Sequence, residues 1–252
     1  LQNGASSNTI TQSYVESRNG WSIHFLGTSS NHLKYNTVSY STAVNVGNWP
    51  NAIRLSWASY NNIIGNHISV TGTAANNGDA LSLNSYSTAN LVSQNYMTGM
   101  FASGLAVVDS LDNRVEFSTA VSREYSGLAA YRSNSLLVTN SYIQGSTAAV
   151  VWGSTNPALN DCVFIATNTA GSAVWMTQGS SGLTVTSGTL QGGPQRSGIF
   201  IDEGSSGSII LTSNTITGGR WGVSIATMTC GACNGNISIT SMTFSGGLTA
   251  GA

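Results

Sequence analysis

Residues 29–41 read SSNHLKYNTVSYS, and residues 61–72 read NNIIGNHISVTG. In each stretch an Asn stands two positions before an apolar residue, and the same pair returns five positions later. In the first stretch the two pairs begin at Asn31 and Asn36. A short phrase that returns at fixed spacing indicates a chain built from repeated structural units.

The phrase recurs along nearly the whole chain. A strand-like run after Gly or Ser precedes it, as in GWSIHFLG (20–27) and SGIFIDE (197–203), and successive runs mostly start 21 to 27 residues apart. The apolar pairs that lie five positions apart are Ile10/Val15, Leu33/Val38, Ile63/Ile68, Val92/Met97, Val138/Ile143, Leu159/Phe164, Val185/Leu190, Leu211/Ile216 and Ile239/Phe244.

This period predicts the fold class. Each repeat contains three short apolar runs in about 23 residues, separated by Ser, Asn and Gly. Helical repeats need longer runs with helical periodicity, and a propeller blade needs about 40 residues. We therefore predict an all-β chain, a parallel β-helix of about ten coils with three short strands per coil, forming a single domain over residues 1–252.

The repeated Asn residues have a structural interpretation in such a fold. Each coil turns corners at which backbone N–H and C=O groups lack strand partners, and an Asn amide both donates and accepts hydrogen bonds. Because coils stack about 4.8 Å apart, Asn side chains can bond along the axis as a ladder. We expect this role for the following residues: Asn31, Asn36, Asn61, Asn66, Asn90, Asn95 and Asn140.

Composition excludes some partners and leaves cysteine chemistry open. Only 7% of residues are charged and the formal net charge is −1, so no nucleic-acid partner is expected. No apolar run approaches the length of a membrane span. Cys230 and Cys233 form a CxxC pair, which favours a local disulfide or two inert thiols over a metal site. No metal site is predicted.

The consensus "G-I-x-I-x-x-S-x-N-N-x-I-x-x-N-x-I" resembles the right-handed parallel β-helix repeat of pectate-lyase-like proteins, over essentially all of residues 1–246. That superfamily contains polysaccharide lyases, glycoside hydrolases, epimerases, phage tailspikes and adhesins. The resemblance implies that the insertions 41–50, 71–78 and 191–196 lie beside the first sheet, where ligand clefts form. The acidic motifs of polygalacturonases and alginate epimerases are missing from the sequence.

The chain ends suggest a neighbour. The opening residues LQNGASSN are similar to FLGTSSN (25–31), so the chain begins in the middle of a coil, and neither end has an evident cap. Because a solenoid exposes its ends unless they are covered, we expect a fragment of a longer chain, a capping neighbouring domain or a homotrimer.

Alternation along the first strand of each coil predicts which residues face outward. Inward positions are predicted at Ile53 and Leu55 and their equivalents, and outward aromatic and polar residues suit the faces and hydroxyls of sugars. Trp152, Trp175 and Phe200 are expected in successive coils. Stacking of rings on the sheet without a ligand is the alternative. The predicted carbohydrate-binding residues are Trp57, Tyr131, Trp152, Trp175, Gln178 and Phe200.

Catalytic candidates are few because carboxylates are scarce. Asp109 and Arg132 occupy equivalent positions one coil apart, which predicts a cross-strand ion pair. Asp202 and Glu203 are the only adjacent acidic pair. These four residues are the candidates if the chain is an enzyme, with Ca²⁺ as a cofactor only in the case of a lyase; otherwise no cofactor is expected. The alternative is a set of surface salt bridges.

The sequence predicts two alternative functions. The first is a secreted or surface-displayed adhesin or fibre module that contacts a polysaccharide or cell-surface glycan along its first sheet. The second is a polysaccharide-degrading lyase or glycoside hydrolase of the phage-tailspike kind. Both imply an extracellular, cell-surface or phage-particle location.

Overall fold

The computed structural model describes residues 1–2, 4–47, 51–72, 78–202, 204–226 and 236–245. Over these residues the chain winds as a parallel β-helix, with strands numbered in chain order. The first sheet contains β3 (Ile23–Leu26), β7 (Ile53–Ser56), β11 (Leu81–Asn84), β14 (Leu105–Val108), β17 (Leu128–Tyr131), β20 (Ala149–Trp152), β23 (Val174–Thr177), β26 (Ser197–Ile201) and β29 (Trp221–Ile225).

The other two sheets run along the remaining sides of the coil. The second sheet contains β1 (Thr9–Thr11), β5 (Thr37–Ser39), β9 (Asn62–Ile64), β12 (Leu91–Ser93), β15 (Arg114–Glu116), β18 (Leu137–Thr139), β21 (Ala158–Asn160), β24 (Thr184–Thr186), β27 (Ile209–Thr212) and β30 (Ile237–Thr240). The third contains β2 (Tyr14–Ser17), β6 (Thr42–Asn45), β10 (His67–Val70), β13 (Tyr96–Gly99), β16 (Thr119–Ser122), β19 (Tyr142–Gly145), β22 (Val163–Ala166), β25 (Thr189–Gln191), β28 (Thr215–Thr217) and β31 (Thr243–Ser245). A small pair joins β4 (Leu33–Lys34) and β8 (Ala58–Ser59).

The prediction of about ten coils with three strands each is confirmed. The described residues give nine strands in the first sheet and ten in each of the other two, and each strand pairs in parallel with its equivalent in the next coil. No described helix is long and apolar enough to span a membrane.

The core lies inside the coil and follows the predicted alternation. Ile53 and Leu55 are fully buried, whereas Arg54 between them is half-exposed on the outer face. Because each strand pairs in register, these side chains stack on Leu81 and Leu83 of the next coil. Burying one such side chain stabilises the fold by about 1.5–3 kcal/mol.

One inward position is left uncovered. Ile225 in β29 pairs with the fully buried Ile201 and so points inward as predicted, but its side chain is 42% exposed. It lies in the last first-sheet strand that the structure describes, and no described strand of that sheet follows it to complete the stack.

The Asn residues form two buried ladders. In the first, the Nδ2 groups of Asn36, Asn61 and Asn90 each donate to the Oδ1 atom of the next Asn at 3.0 Å, ending on Asn113. In the second, Asn66 Nδ2 donates to Asn95 Oδ1 at 3.0 Å.

The expected ladder role is wrong for two residues. Asn31 and Asn140 are exposed, and Asn140 lies at a corner with φ 48°. Asn140 suits that corner because Asn accepts left-handed backbone at low cost.

Candidate functional site

The outer face of the first sheet, called here the first-sheet face, carries two parallel rows of side chains. Register places Arg54, Ser82, Ala106, Ala129, Val150, Trp175 and Phe200 in one row. The other row contains the pair Ser56 and Asn84, followed in later coils by the run Val108, Tyr131, Trp152 and Thr177. Both rows run along the axis, one residue per coil.

The residues in the middle of the first row are less exposed than their outward positions predicted. Ser82, Ala106, Ala129 and Val150 point outward by register but are at most 6% exposed. These side chains are short, so they form the floor of the face, and the longer side chains beside them form its surface.

A recess opens where this floor meets the aromatic residues. The recess, called here the aromatic recess, has a volume of about 230 Å³ and is lined by Glu124, Tyr125, Ser126, Tyr131, Ser146, Thr147, Val150, Trp152 and Trp175. Tyr131 and Trp152 meet edge to face with ring centroids 5.7 Å apart. Its wall therefore combines ring faces with hydroxyl groups at the rim.

The aromatic recess unites three of the predicted carbohydrate-binding residues. Trp152 and Trp175 lie in successive coils as expected, but in different rows: Trp152 pairs with Thr177, and Trp175 pairs with Phe200. The recess is formed because this offset places Trp152 and Trp175 on two sides of the same floor.

Phe200 extends the aromatic surface by one coil. Its ring centroid lies 6.4 Å from that of Trp175, and the Arg196 guanidinium lies 4.4 Å from its ring centre. Arg196 belongs to the insertion 191–196, so this insertion does flank the first-sheet face, as the resemblance implied.

The other predicted residues lie at the corner that ends each first-sheet strand. Trp57, Asp109, Arg132 and Gln178 all adopt left-handed backbone there, with φ between 47° and 51°. Trp57 stacks on Tyr86 at 4.9 Å, several coils away from the aromatic recess. Gln178 is exposed and does not line the recess.

The predicted ion pair between Asp109 and Arg132 is confirmed. Arg132 Nε and Nη2 donate to the two carboxylate oxygens of Asp109 at 2.6 and 2.8 Å. The hydrogen bond from Arg132 lowers the pKa of Asp109. A carboxylate held ionised in this way is poorly suited to donate a proton near neutral pH.

The catalytic candidates do not converge. Asp202 follows β26, four coils beyond β14 and Asp109, a separation of about 19 Å at one coil per 4.8 Å. Paired carboxylates of glycoside hydrolases lie within roughly 9.5 Å. Asp202 Oδ2 instead accepts a hydrogen bond from Thr177 Oγ1 at 3.4 Å. Glu203 lies outside the described residues, as do Cys230 and Cys233.

Sequence reasoning missed Asp79. Its Oδ1 accepts a hydrogen bond from the backbone N–H of Ser103 at 3.0 Å, and burial raises its pKa to about 6. Burial also raises the pKa of Tyr131, and the Asp79 charge adds to that shift. A signal was present in the sequence. Two positions before the first-sheet strand, the next two coils carry Ser103 and Ser126, whereas this coil carries the ionisable Asp79.

Calcium is the cofactor expected in the case of a lyase, and it stays a prediction. Among the described residues, no group of three or more His, Cys, Asp or Glu side chains is placed to hold a metal ion. No described residue is therefore assigned to Ca²⁺.

A family model described as the right-handed beta helix region matches residues 80–244. The chain belongs to this family. A β-helix accounts for the parallel register of all three sheets, because every coil passes through the three sheets in the same direction. No curated protein sequence matches this β-helix chain.

Several solved structures share the β-helix fold. The A-module of mannuronan C-5 epimerase AlgE6 from Azotobacter vinelandii aligns with a TM-score of 0.63 at 14% identity, covering 96% of this chain and 75% of that one. The Agl-KA catalytic domain aligns with a TM-score of 0.59 at 11% identity, covering 97% of this chain and 48% of that one. This β-helix chain thus spans about half the length of the second relative. Likeness at such identity is likeness of fold alone.

Proposed function

We propose that this β-helix chain is a glycan-binding module, with the aromatic recess as its contact surface. The observation that carries the proposal is the grouping of Tyr131, Trp152 and Trp175 around one recess on the first-sheet face. Sugar rings present apolar C–H faces that stack on aromatic side chains, and their hydroxyls bond to polar groups at the edge.

The exposure of these residues supports a ligand role over packing alone. Trp152 is 41% exposed, although burying its ring in the protein would be more favourable. The hydroxyls of Ser126, Ser146 and Thr147 add polar groups to the lining.

A binding role in an adhesin or fibre fits the scarcity of catalytic groups. The carboxylates of Asp109 and Asp202 are too far apart to act on one bond, and Asp109 is held in an ion pair. The proposal includes a secreted or surface-displayed location, a polysaccharide or cell-surface glycan as partner, and either a homotrimer or a capping neighbour. Likeness in fold to a mannuronan C-5 epimerase module is in keeping with a polysaccharide partner.

A polysaccharide-degrading enzyme is the second candidate, and Asp79 is the observation that favours it. A carboxyl group with pKa about 6 can both donate and accept a proton near neutral pH. The charge of Arg54 lowers the pKa of this carboxyl, and the charge of Asp79 raises the pKa of Tyr131. Asp79 replaces Asp109 and Asp202 as the residue to test for catalysis.

One experiment tests both candidates. The purified chain is screened against a panel of polysaccharides for binding and for release of shorter or unsaturated products. We expect Trp152→Ala to weaken binding roughly tenfold or more, the effect of losing a central aromatic contact. Phe117→Ala is the control, because Phe117 is an exposed aromatic residue at a corner away from the first sheet.

The outcomes separate the candidates. Equal loss of binding in the Trp152 and Phe117 variants, or no binding to any polymer of the panel, would contradict the proposed module. Product release that disappears in Asp79→Asn while binding persists would establish the enzyme instead.

A further inference from the structure

A second recess lies on the first-sheet face, at the coils of β3, β7 and β11. It has a volume of about 300 Å³, and its lining includes Trp21, His24, Arg54 and Trp57. It is called here the arginine recess. The aromatic recess lies further along the same face, and β7 and β20 are separated by four coil steps, or about 19 Å along the axis.

Arg54 is the charged group of this recess. Its Nε donates to Ser56 Oγ at 3.0 Å, and its guanidinium carbon lies 5.5 Å from the centre of the Trp21 ring. None of the four ion pairs among the described residues includes Arg54. Burial lowers the pKa of Arg54, and the charge of Asp79 opposes this shift.

The Arg54 guanidinium is half-buried and forms no salt bridge with a described residue, so it can pair with an anion that enters the recess. Its planar fork matches a carboxylate, which it binds through two parallel hydrogen bonds. Arg54 thus provides the recess with a carboxylate-binding group whose position is already fixed by Ser56 and Trp21.

His24 adds a neutral polar group next to Arg54. Its ring centroid lies 4.2 Å from that of Trp21, and its buried Nε2 has no partner among the described residues. Burial lowers the pKa of His24 to about 4, with a smaller contribution from the charge of Arg54. The imidazole is therefore uncharged at neutral pH and does not compete with Arg54 for an anion.

We propose that the arginine recess binds an acidic sugar residue, with Arg54 pairing with its carboxylate and the Trp21 and Trp57 rings flanking its apolar face. This inference rests on the proposed function and specifies it, because it names the ligand as a uronic-acid-containing polysaccharide. One glycan chain of several sugar units, laid along the axis, would contact both recesses. This arrangement also gives Trp57 a place in the site, although Trp57 lies apart from the aromatic recess.

The test compares each acidic polymer with its own carboxyl-reduced form. Alginate and polygalacturonate are each immobilised beside the polymer whose carboxylates have been reduced to hydroxymethyl groups, and binding of the full chain is measured at fixed ionic strength. We expect tighter binding to the acidic form, and Arg54→Gln should reduce that preference by about tenfold or more. Binding of the reduced form should not change.

Matched variants keep the result specific. Arg18→Gln removes one positive charge from an 80% exposed side chain outside the first-sheet face and should leave the preference intact. Arg54→Lys keeps the charge but loses the planar fork, so it should retain only part of the preference. Circular dichroism tests whether each variant is folded. If Arg54→Gln is unfolded, the comparison is made with Arg54→Lys instead.

Failure of this inference is distinguishable from failure of the proposed function. Equal binding of acidic and reduced polymers, or equal effects of Arg54→Gln and Arg18→Gln, overturns the acidic subsite and leaves the glycan-binding module standing. Absence of binding to both forms of both polymers overturns the subsite, whereas the module itself is overturned only if no polymer of the wider panel binds.

Discussion

Replacing Asn95 tests whether the Asn ladders hold the corners of the β-helix. Asn95 is 2% exposed and makes four side-chain hydrogen bonds. Its Oδ1 accepts from the N–H and Nδ2 of Asn66 at 2.9 and 3.0 Å. Its Nδ2 donates to the carbonyl oxygens of Ile63 and Ser93 at 2.7 and 2.9 Å. Asn95→Ala removes all four bonds in a buried corner.

The magnitude follows from these bonds. A net contribution of about 1 kcal/mol for each gives a loss of about 4 kcal/mol in the free energy of unfolding. Asn95→Ser should lose only about 2 kcal/mol, since one hydroxyl can replace part of the network. The next coil supports this, because Ser118 Oγ in the same column accepts from the N–H of Asn95 at 3.2 Å.

Urea unfolding followed by circular dichroism measures these differences. Asn140→Ala is the control, because Asn140 is an exposed corner Asn outside both ladders, and a loss of about 1 kcal/mol is expected from placing Ala in its left-handed backbone. A loss for Asn95→Ala no larger than that for Asn140→Ala would refute the ladder argument. So would equal losses for the Ala and Ser variants at position 95.

Three further predictions concern the core and the carboxylates. Leu83→Ala should cost about 2–5 kcal/mol in urea unfolding because Leu83 is fully buried, whereas Leu26→Ala, on a side chain 37% exposed, should cost far less. Because the pKa of Asp79 is raised, its contribution to the free energy of unfolding is present below pH 4 and is lost as pH rises through about 6, by at most about 3 kcal/mol. Asp79→Asn should flatten that part of the pH–stability profile. An unchanged profile would contradict the burial of the carboxyl. If product release is detected, Asp109→Asn should leave its rate unchanged, and loss of release in that variant would restore Asp109 as a catalytic residue.

The solenoid could be predicted because its determinants are local and repeated. An apolar residue at alternate positions, such as Ile53 and Leu55, defines the inside of a strand wherever the strand lies. The Asn phrase marks the corners, because an Asn amide bonds backbone groups that lack strand partners there. Repetition along the chain then fixes the register between coils, so even the ion pair between Asp109 and Arg132 could be predicted from equivalent positions.

The grouping of the candidate site depended on information that the repeat does not contain. Trp152 and Trp175 line one recess because Val150, which pairs with Trp175, is only 6% exposed and forms a low floor between the two rings. Asp79 owes its raised pKa to burial, which no local pattern reports.

The sequence by itself determined the β-helix, its core and most of its ladder residues, because backbone geometry and hydrophobic alternation act over a few residues at a time. Only the tertiary structure decided which outward residues form recesses, that Arg54 lies between Trp21 and Ser56, and that Asp202 is remote from Asp109. These properties depend on the stacking of different coils, and residues in neighbouring coils are separated by more than twenty positions in the chain.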